Sequence, residues 1–301
     1  MSDLPRSAVL IVNARARRGQ DLFRAACAKL KARGIDLIAA HAVTDPDQLM
    51  PTVKQAVADG APMVIVGGGD GSLSSSVDFL VGTDTVFALL PFGTANSFAR
   101  SLCIPLDIDG AIDVIATGQR RRIDLGMIDD DYYANCAAIG ISPLIAQTVP
   151  HGLKKIAGRP GYLTWAAIQS FRFKPFHLIV EDGKQRHEVD ALEVRIANGP
   201  YHGGTELVDV SIDDGEIVVQ AVVGKVKRRL AWSWLLAILR HRSMKDTVVE
   251  FRGREMRIET IPPMPISIDG EVTVDTPVMA RVARGVIEVA APRDDQEECP
   301  V

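Results

Sequence analysis

The chain has little cysteine, no long apolar run and no excess of either charge, and each scarcity removes a class of protein. Its four cysteines, Cys27, Cys103, Cys136 and Cys299, lie far apart and form no C-x-x-C pair. That spacing suggests neither a zinc site nor a disulfide framework, and a reducing cytoplasm suits it best. Nothing approaches the ~20 consecutive apolar residues of a membrane-spanning helix, and "AVLIV" near the start is too short for the core of a secretory signal. A soluble protein, at most peripheral to a membrane, is expected. Lys and Arg number 34 against 38 Asp and Glu, and the net charge of −4 argues against a general nucleic-acid binder. Any basic surface must be local. What is present is ordinary for a folded protein, 47% apolar and 24% charged residues, in a 301-residue chain long enough to form two cores.

Through residue 126 short β-rich runs alternate with helical patterns. The runs are "AVLIVN", "IDLIAAHAVT", "MVIVGGG" and "VFALLP"; the helices are expected at 19–33, 46–59, 72–81 and 94–102. This is a parallel α/β layout, whose strands are nearly all apolar because helices cover both faces of the sheet. Ligands bind such sheets at the carboxyl ends of the strands. Beyond "RRIDLGMI" the pattern changes to segments such as "FHLIVEDG", "GEIVVQAVV" and "PISIDGEVTV", separated by Gly, Asp or Pro. These predict a mainly antiparallel β-sandwich with helices near 142–156, 161–172 and 226–242 and a frayed tail. The expected domains are 1–126 and 127–301, with roughly the last 15 residues able to return to the first. No repeat or low-complexity linker separates them, so a cleft between closely joined domains is expected.

Three strand ends in the first domain carry polar or glycine-rich turns. "VNARARRG" (12–19) places Asn13, Arg17 and Arg18 after the first strand, and taken alone reads as a solvated basic turn. "VIVGGGDGSLSSSV" (64–77) has the glycines of a phosphate loop but no lysine, and a carboxylate at Asp70. "LLPFGTANSFAR" (89–100) sets Gly93 and Thr94 at a strand-to-helix turn, where backbone N–H groups and a hydroxyl can meet an anion. Together they point to a nucleotide. Neither G-x-x-x-x-G-K-[ST] nor G-x-G-x-x-G can be threaded through "GGGDGSL", so a different kinase-like solution is implied.

"GGGDGS" followed by "LPFGTANSFAR" resembles the catalytic-domain family of diacylglycerol and sphingosine kinases, in its bacterial lipid kinase branch. Asn13 to Gly19, "RRIDLG", "NGPYHGG", "DDGEIVV" and "SIDGE" are similar to further family segments, so the resemblance extends over most of the chain. It implies an NAD kinase/diacylglycerol kinase-like α/β domain, a β-sandwich lipid-substrate domain, and transfer of the ATP γ-phosphoryl group to a lipid hydroxyl. Asn13, Thr44, Gly67, Gly68, Gly69, Asp70, Gly71, Ser72, Leu73, Gly93 and Thr94 would then contact ATP. Asp70 and Asp124 would belong to the Mg²⁺ network beside its phosphates. An aspartate can hold phosphate indirectly, because Mg²⁺ prefers carboxylate and water oxygens and bridges them to phosphate.

Three more segments have a plain reading and a functional one. In "ISIDGEVTV" the Asp269–Gly270 pair suits a tight turn between strands. The resemblance instead makes Glu271 the acceptor of the lipid hydroxyl's proton, with Asp269 beside it. "DVSIDDGEIVV" is either a solvated acidic turn or, by resemblance, a structural Mg²⁺ or Ca²⁺ site through Ser211, Asp214 and Glu216. Residues 225–242, with six Lys or Arg and two tryptophans, form either a buried helix with cationic ends or an interfacial helix at the inner membrane face.

Departures from the family pattern bear on the competing functions. Ser72 in place of threonine keeps the hydroxyl, and Ala14 in place of proline loosens its loop only modestly. Ser97 stands where the family has an aspartate, removing a charge from the region of the metal carboxylates. It raises a nucleotide- or lipid-binding regulatory protein as an alternative, beside an NAD kinase-like enzyme sharing the G-G-D-G loop. The lipid acceptor, whether diacylglycerol, phosphatidylglycerol or a sphingoid base, has no residue-level code, and the oligomeric state stays open, a homodimer included.

Overall fold

Apolar runs of six to eight residues in the first half pair side by side as parallel strands, each crossover being made by a helix. The computed structural model describes residues 3–15, 17–148, 165, 169, 173–183, 185–223, 248–268, 271–293 and 299. The first half comprises β1 (Ser7–Asn13), α1 (Arg17–Ala32), β2 (Asp36–Val43), α2 (Leu49–Ala58), β3 (Met63–Gly68), α3 (Asp70–Ser74), β4 (Val86–Pro91), α4 (Ser97–Ser101) and α5 (Ile108–Thr117). The strands lie in the order β4-β3-β1-β2, all parallel. β3 and β4 are buried throughout. β2 departs from the expected all-apolar pattern because it is the sheet edge, leaving Ile38 55% exposed.

Three expected helices are shorter than their patterns, the one at 94–102 being reduced to α4. The one from Pro46 starts as a 3-10 turn, Pro46–Gln48, capped by the Asp45 side chain accepting from Asp47 N–H. The one after the glycine loop stops at Ser74, within a serine run whose hydroxyls compete with the helical backbone, as Ser76 Oγ does by donating to Ser72 O. The helix α5 has no counterpart among the expected helices. It is started by Asp107, whose carboxylate accepts from Gly110 N–H.

The second half is mainly antiparallel: β5 (Gln119–Ile128), β6 (Asp131–Tyr133), β7 (Cys136–Gly140), α6 (Ile141–Thr148), β8 (Phe176–Glu181), β9 (Arg186–Ala197), β10 (Tyr201–His202), β11 (Thr205–Glu206), β12 (Ile217–Val223), β13 (Val248–Gly253), β14 (Glu255–Ile261), β15 (Pro265–Ile268), β16 (Glu271–Asp275) and β17 (Val278–Ala291). Two long strands carry the sandwich-like layout. β9 pairs with β8 along its first half and with β7 and β12 along its second. β17 pairs with β14 at its start and runs parallel to β4 near its end, so the last strand joins the two sheets. One core surrounds β1, β3 and β4 and takes in Ile287 and Val289 of β17; the other contains Ile139, Val194, Ile196, Val219 and Ile258. An N-terminal α/β domain and a C-terminal β-sandwich-like domain therefore share a strand.

One expectation is overturned. Where the cysteine spacing suggests no disulfide framework, Cys103, two residues past α4, is joined to Cys299 by a disulfide. The pair is 196 residues apart, so only the fold brings it together. Cys27 and Cys136 take no part in this bridge. The segment 225–242 lies outside the described residues, as do nearly all of 161–172 and the end of the helix expected at 142–156. No helix among the described residues is long and apolar enough to cross a membrane.

Candidate active site

Parallel strands deliver their carboxyl ends to one sheet edge, and five of the expected contact positions gather there for that reason. Asn13 ends β1, Thr44 follows β2, Gly67 and Gly68 end β3, and Gly93 follows β4 by two residues. The glycines permit close approach. A Cβ on Gly93 would lie 2.7 Å from Gly69 Cα, and one on Gly68 would lie 2.7 Å from Ser72 Cβ. The turns after β3 and β4 therefore pack backbone against backbone, and Phe92 N–H donates to Gly68 O at 2.9 Å. Around Gly71 a Cβ would meet nothing within 4 Å, so the loop is open on that side. No side chain among the described residues caps the start of α3, which leaves its first N–H groups available to an anion. Asn13 Nδ2 donates to Ser72 Oγ at 3.3 Å, tying the first strand end to the loop. Thr44 and Thr94 are exposed at the same edge. Leu73 is not presented there: its side chain is wholly buried and its N–H bonds Gly69 O.

Asp70 joins the two turns. Its Oδ1 accepts from Phe98 N–H at 3.2 Å, so a residue 28 positions earlier caps α4. Its other carboxylate oxygen makes no hydrogen bond among the described residues. The turn into α4 is shaped by Asn96 in the left-handed region at φ 50, a conformation asparagine tolerates, with Oδ1 accepting from Gly93 N–H at 2.9 Å and Nδ2 donating to Gly93 O. Ser97 is buried and bonds across the domains, its hydroxyl accepting from Gly204 N–H at 3.0 Å. A second bridge runs from Ser101 Oγ to Asn135 Oδ1 at 2.7 Å, and the Asn135 carbonyl accepts from the N–H groups of Asn198 and Gly199. Ser101, Asn135 and Asn198 escape a motif reading because their partners become neighbours only in the fold.

Asp124 and the acidic turn are held differently. The buried Asp124 carboxylate accepts from Gly215 N–H at 2.8 Å and from Gly285 N–H at 2.7 Å, linking β5, the 211–216 turn and β17. Asp214 closes the turn itself, one oxygen accepting from Ser211 N–H and the other from Glu216 N–H, both at 3.1 Å. Burial pushes the neighbouring Asp213 carboxyl up, but the Ser211 hydroxyl and the Arg121 guanidinium outweigh it and leave it below its ordinary value. No three His, Cys, Asp or Glu among the described residues converge as metal ligands, and this turn holds its shape through its own N–H groups. Asp70 fits a different kind of cation. A magnesium ion carried by nucleotide phosphates needs only one or two protein carboxylates, and Asp70 has an oxygen to offer.

Asp269 lies outside the described residues. Glu271 opens β16, its backbone paired with Ile268 of β15, which in turn pairs with Ala137 of β7. His202, in the strand before the Gly203–Gly204 turn, carries a signal the motif reading lacks. Burial, then Arg195, hold its imidazole below the ordinary histidine value, against the opposing pull of Glu193 and Asp70.

Residues 7–128 match the diacylglycerol kinase catalytic domain, and residues 137–291 match the YegS C-terminal NAD kinase beta sandwich-like domain. A "Probable lipid kinase YegS-like" protein of Xanthomonas campestris pv. campestris is 30% identical over 277 residues, spanning 87% of this chain and 88% of the relative. A diacylglycerol kinase of Staphylococcus epidermidis is 25% identical, spanning 92% of this chain and 90% of its own. The crystal structure of a diacylglycerol kinase from Bacillus anthracis shares the fold with a TM-score of 0.75 at 20% identity, covering 95% of this chain and 97% of that one.

Proposed function

The chain belongs to the diacylglycerol kinase catalytic-domain family as a YegS-like lipid kinase using ATP, and we propose that Asp70 and Glu271 divide its chemistry between Mg²⁺ and proton transfer. The observation that carries this reading is Asp70, which is anchored through one oxygen at the junction of the two glycine turns and keeps the other for a ligand.

In phosphoryl transfer the protein mainly positions groups and neutralises charge. The N–H groups of Gly69 to Ser72 meet the phosphates, and Asn13 and Thr94 flank them. Asp70 holds the cation that, when bound, offsets charge on the phosphate oxygens. Glu271, aided by Asp269, accepts the proton of the lipid hydroxyl as its oxygen bonds to the γ-phosphorus and the bond to the β-phosphate oxygen breaks. The Ser97–Gly204 and Ser101–Asn135 bonds keep the two domains in one arrangement during this step. Asp124 serves as support for the cleft wall. Because the substrate is a lipid, we place the working enzyme at a membrane surface on the cytoplasmic side.

The test is transfer of label from γ-labelled ATP, using the purified chain, a panel of lipids in mixed micelles, NAD as a soluble acceptor, and Mg²⁺ varied. Labelled lipid, dependent on Mg²⁺ and abolished by Glu271→Ala, is the expected result. Labelled NAD would instead favour an NAD kinase-like enzyme, and nucleotide binding without product would favour a regulatory protein.

A further inference from the structure

The interior of the sandwich-like domain holds a charged pair that the transfer chemistry above does not use. Glu193 is 1% exposed and Arg195 6%. Both project from one face of β9, since alternate strand residues share a face. Register carries that face across five strands: Ser267 of β15 opposes Ala138 of β7, Ala138 opposes Arg195, Arg195 opposes Gln220 of β12, and Gln220 opposes Glu250 of β13. Arg195 Nη1 donates to Gln220 Oε1 at 2.8 Å, Gln220 Nε2 donates to Glu250 Oε1 at 3.0 Å, and Arg195 Nη2 lies 2.8 Å from Glu193 Oε1.

These contacts leave groups over. Arg195 Nε–H and Glu193 Oε2 are shut away from water without a hydrogen bond among the described residues. Such groups are costly to bury, more so when charged, and an apolar pair would avoid the cost. On β7 the residues opposite the pair are Ala138 and Gly140, which put almost nothing beside it. The position of the row matters as much as its polarity. Its Ser267 end lies in β15, and the pair and Asp70 both act electrostatically on His202. The pair therefore lies near His202, two residues before Gly204, whose N–H meets the Ser97 hydroxyl of the other domain.

Resting on the kinase reading above, we propose that Glu193, Arg195 and Gln220 recognise the headgroup of the lipid acceptor, a polyol with hydroxyls beyond the one phosphorylated. A hydroxyl donates and accepts at once, so neighbouring hydroxyls satisfy a Glu193 oxygen and the Arg195 Nε–H together. The pair is neutral overall and does not demand an anionic headgroup. Diacylglycerol, whose one hydroxyl is the reacting group, leaves both unsatisfied. Sites built to bond a hydroxyl reject analogues lacking it by up to about 10⁴-fold or more.

The experiment compares kcat/KM of the purified full chain on monoglucosyl diacylglycerol and on diacylglycerol, in mixed micelles, with the Glu193→Leu/Arg195→Met double variant measured alongside. Replacing both partners avoids stranding one charge. The ratio of the two acceptors in one preparation does not depend on the fraction folded. Wild type should favour the glucosyl lipid by at least about 100-fold, and the variant should cut that ratio by at least about tenfold. A ratio unchanged in the variant, or a wild type favouring diacylglycerol, overturns the headgroup assignment alone. A wild type that phosphorylates neither of these but another lipid of the panel above overturns the headgroup assignment alone, and one that phosphorylates no lipid of the panel overturns the kinase reading with it.

Discussion

Aspartates in the two halves of the molecule are held in opposite ways. Asp70, at the strand ends of the α/β half, accepts one backbone N–H and keeps an oxygen available. Asp124 and Asp214, around the acidic turn of the sandwich-like half, accept two N–H groups each. A carboxylate with both oxygens bonded by the fold is fixed in place by it, whereas one with an unbonded oxygen keeps more of its lone pairs for a ligand. Acidic character alone does not separate the two; the count of N–H groups around each carboxylate does.

The largest effects break that contrast if it is wrong. Asp70→Asn should lower kcat by at least about 100-fold, the scale of losing one charged group aimed at the reacting phosphates, while the melting temperature moves by no more than about 2 °C. Asp124→Ala strands the Gly215 and Gly285 N–H groups and should cost about 3 kcal/mol, lowering the melting temperature by about 6–12 °C. A thermal melt of each variant decides the point. Next in size is Gly93→Ala, whose Cβ must displace the Gly69 backbone. It should raise KM for ATP by roughly tenfold and cost about 2 kcal/mol by forcing the turns apart. Cys299→Ser, or a dithiol reductant acting on the wild type, should remove about 2 kcal/mol by freeing the unfolded chain from its cross-link. Denaturant titration with and without reductant checks this.

The smallest effect concerns Asp78, whose carboxyl is pushed up to about 6 by desolvation and by Asp131. A folded state that holds this proton more tightly than the unfolded chain loses stability as pH rises from about 4 through 6. Asp78→Asn should therefore melt slightly later than wild type at pH 7.5 and no later at pH 3.5. A gap of equal size at both values would remove the pH linkage.

The strand-end turns are legible in the sequence because they are local: strand, glycine turn and helix start occupy a dozen consecutive residues. The sandwich-like half is legible as a pattern of β runs, but its functional contacts are not. Asp124 finds its two donors 91 and 161 residues away, and Cys103 finds Cys299 across 196. No spacing rule links such positions. Nothing local in "EVRIA" marks its polar residues as buried, and only the covering of that face makes Glu193 and Arg195 a buried pair. Ser97 shows the same limit. Its substitution for the family aspartate suggests a lost charge, while its actual bond, to Gly204 N–H of the other domain, depends on how the domains meet.

The central claim is that Asp70 faces the cation while the aspartates of the acidic turn do not. The most direct measurement is the Mg²⁺ concentration at half-maximal rate in wild type, Asp70→Asn and Asp214→Asn at saturating ATP. A rise of at least about tenfold for Asp70→Asn, with Asp214→Asn within about twofold of wild type, is the predicted result. No rise for Asp70→Asn, or an equal rise for both variants, would contradict it.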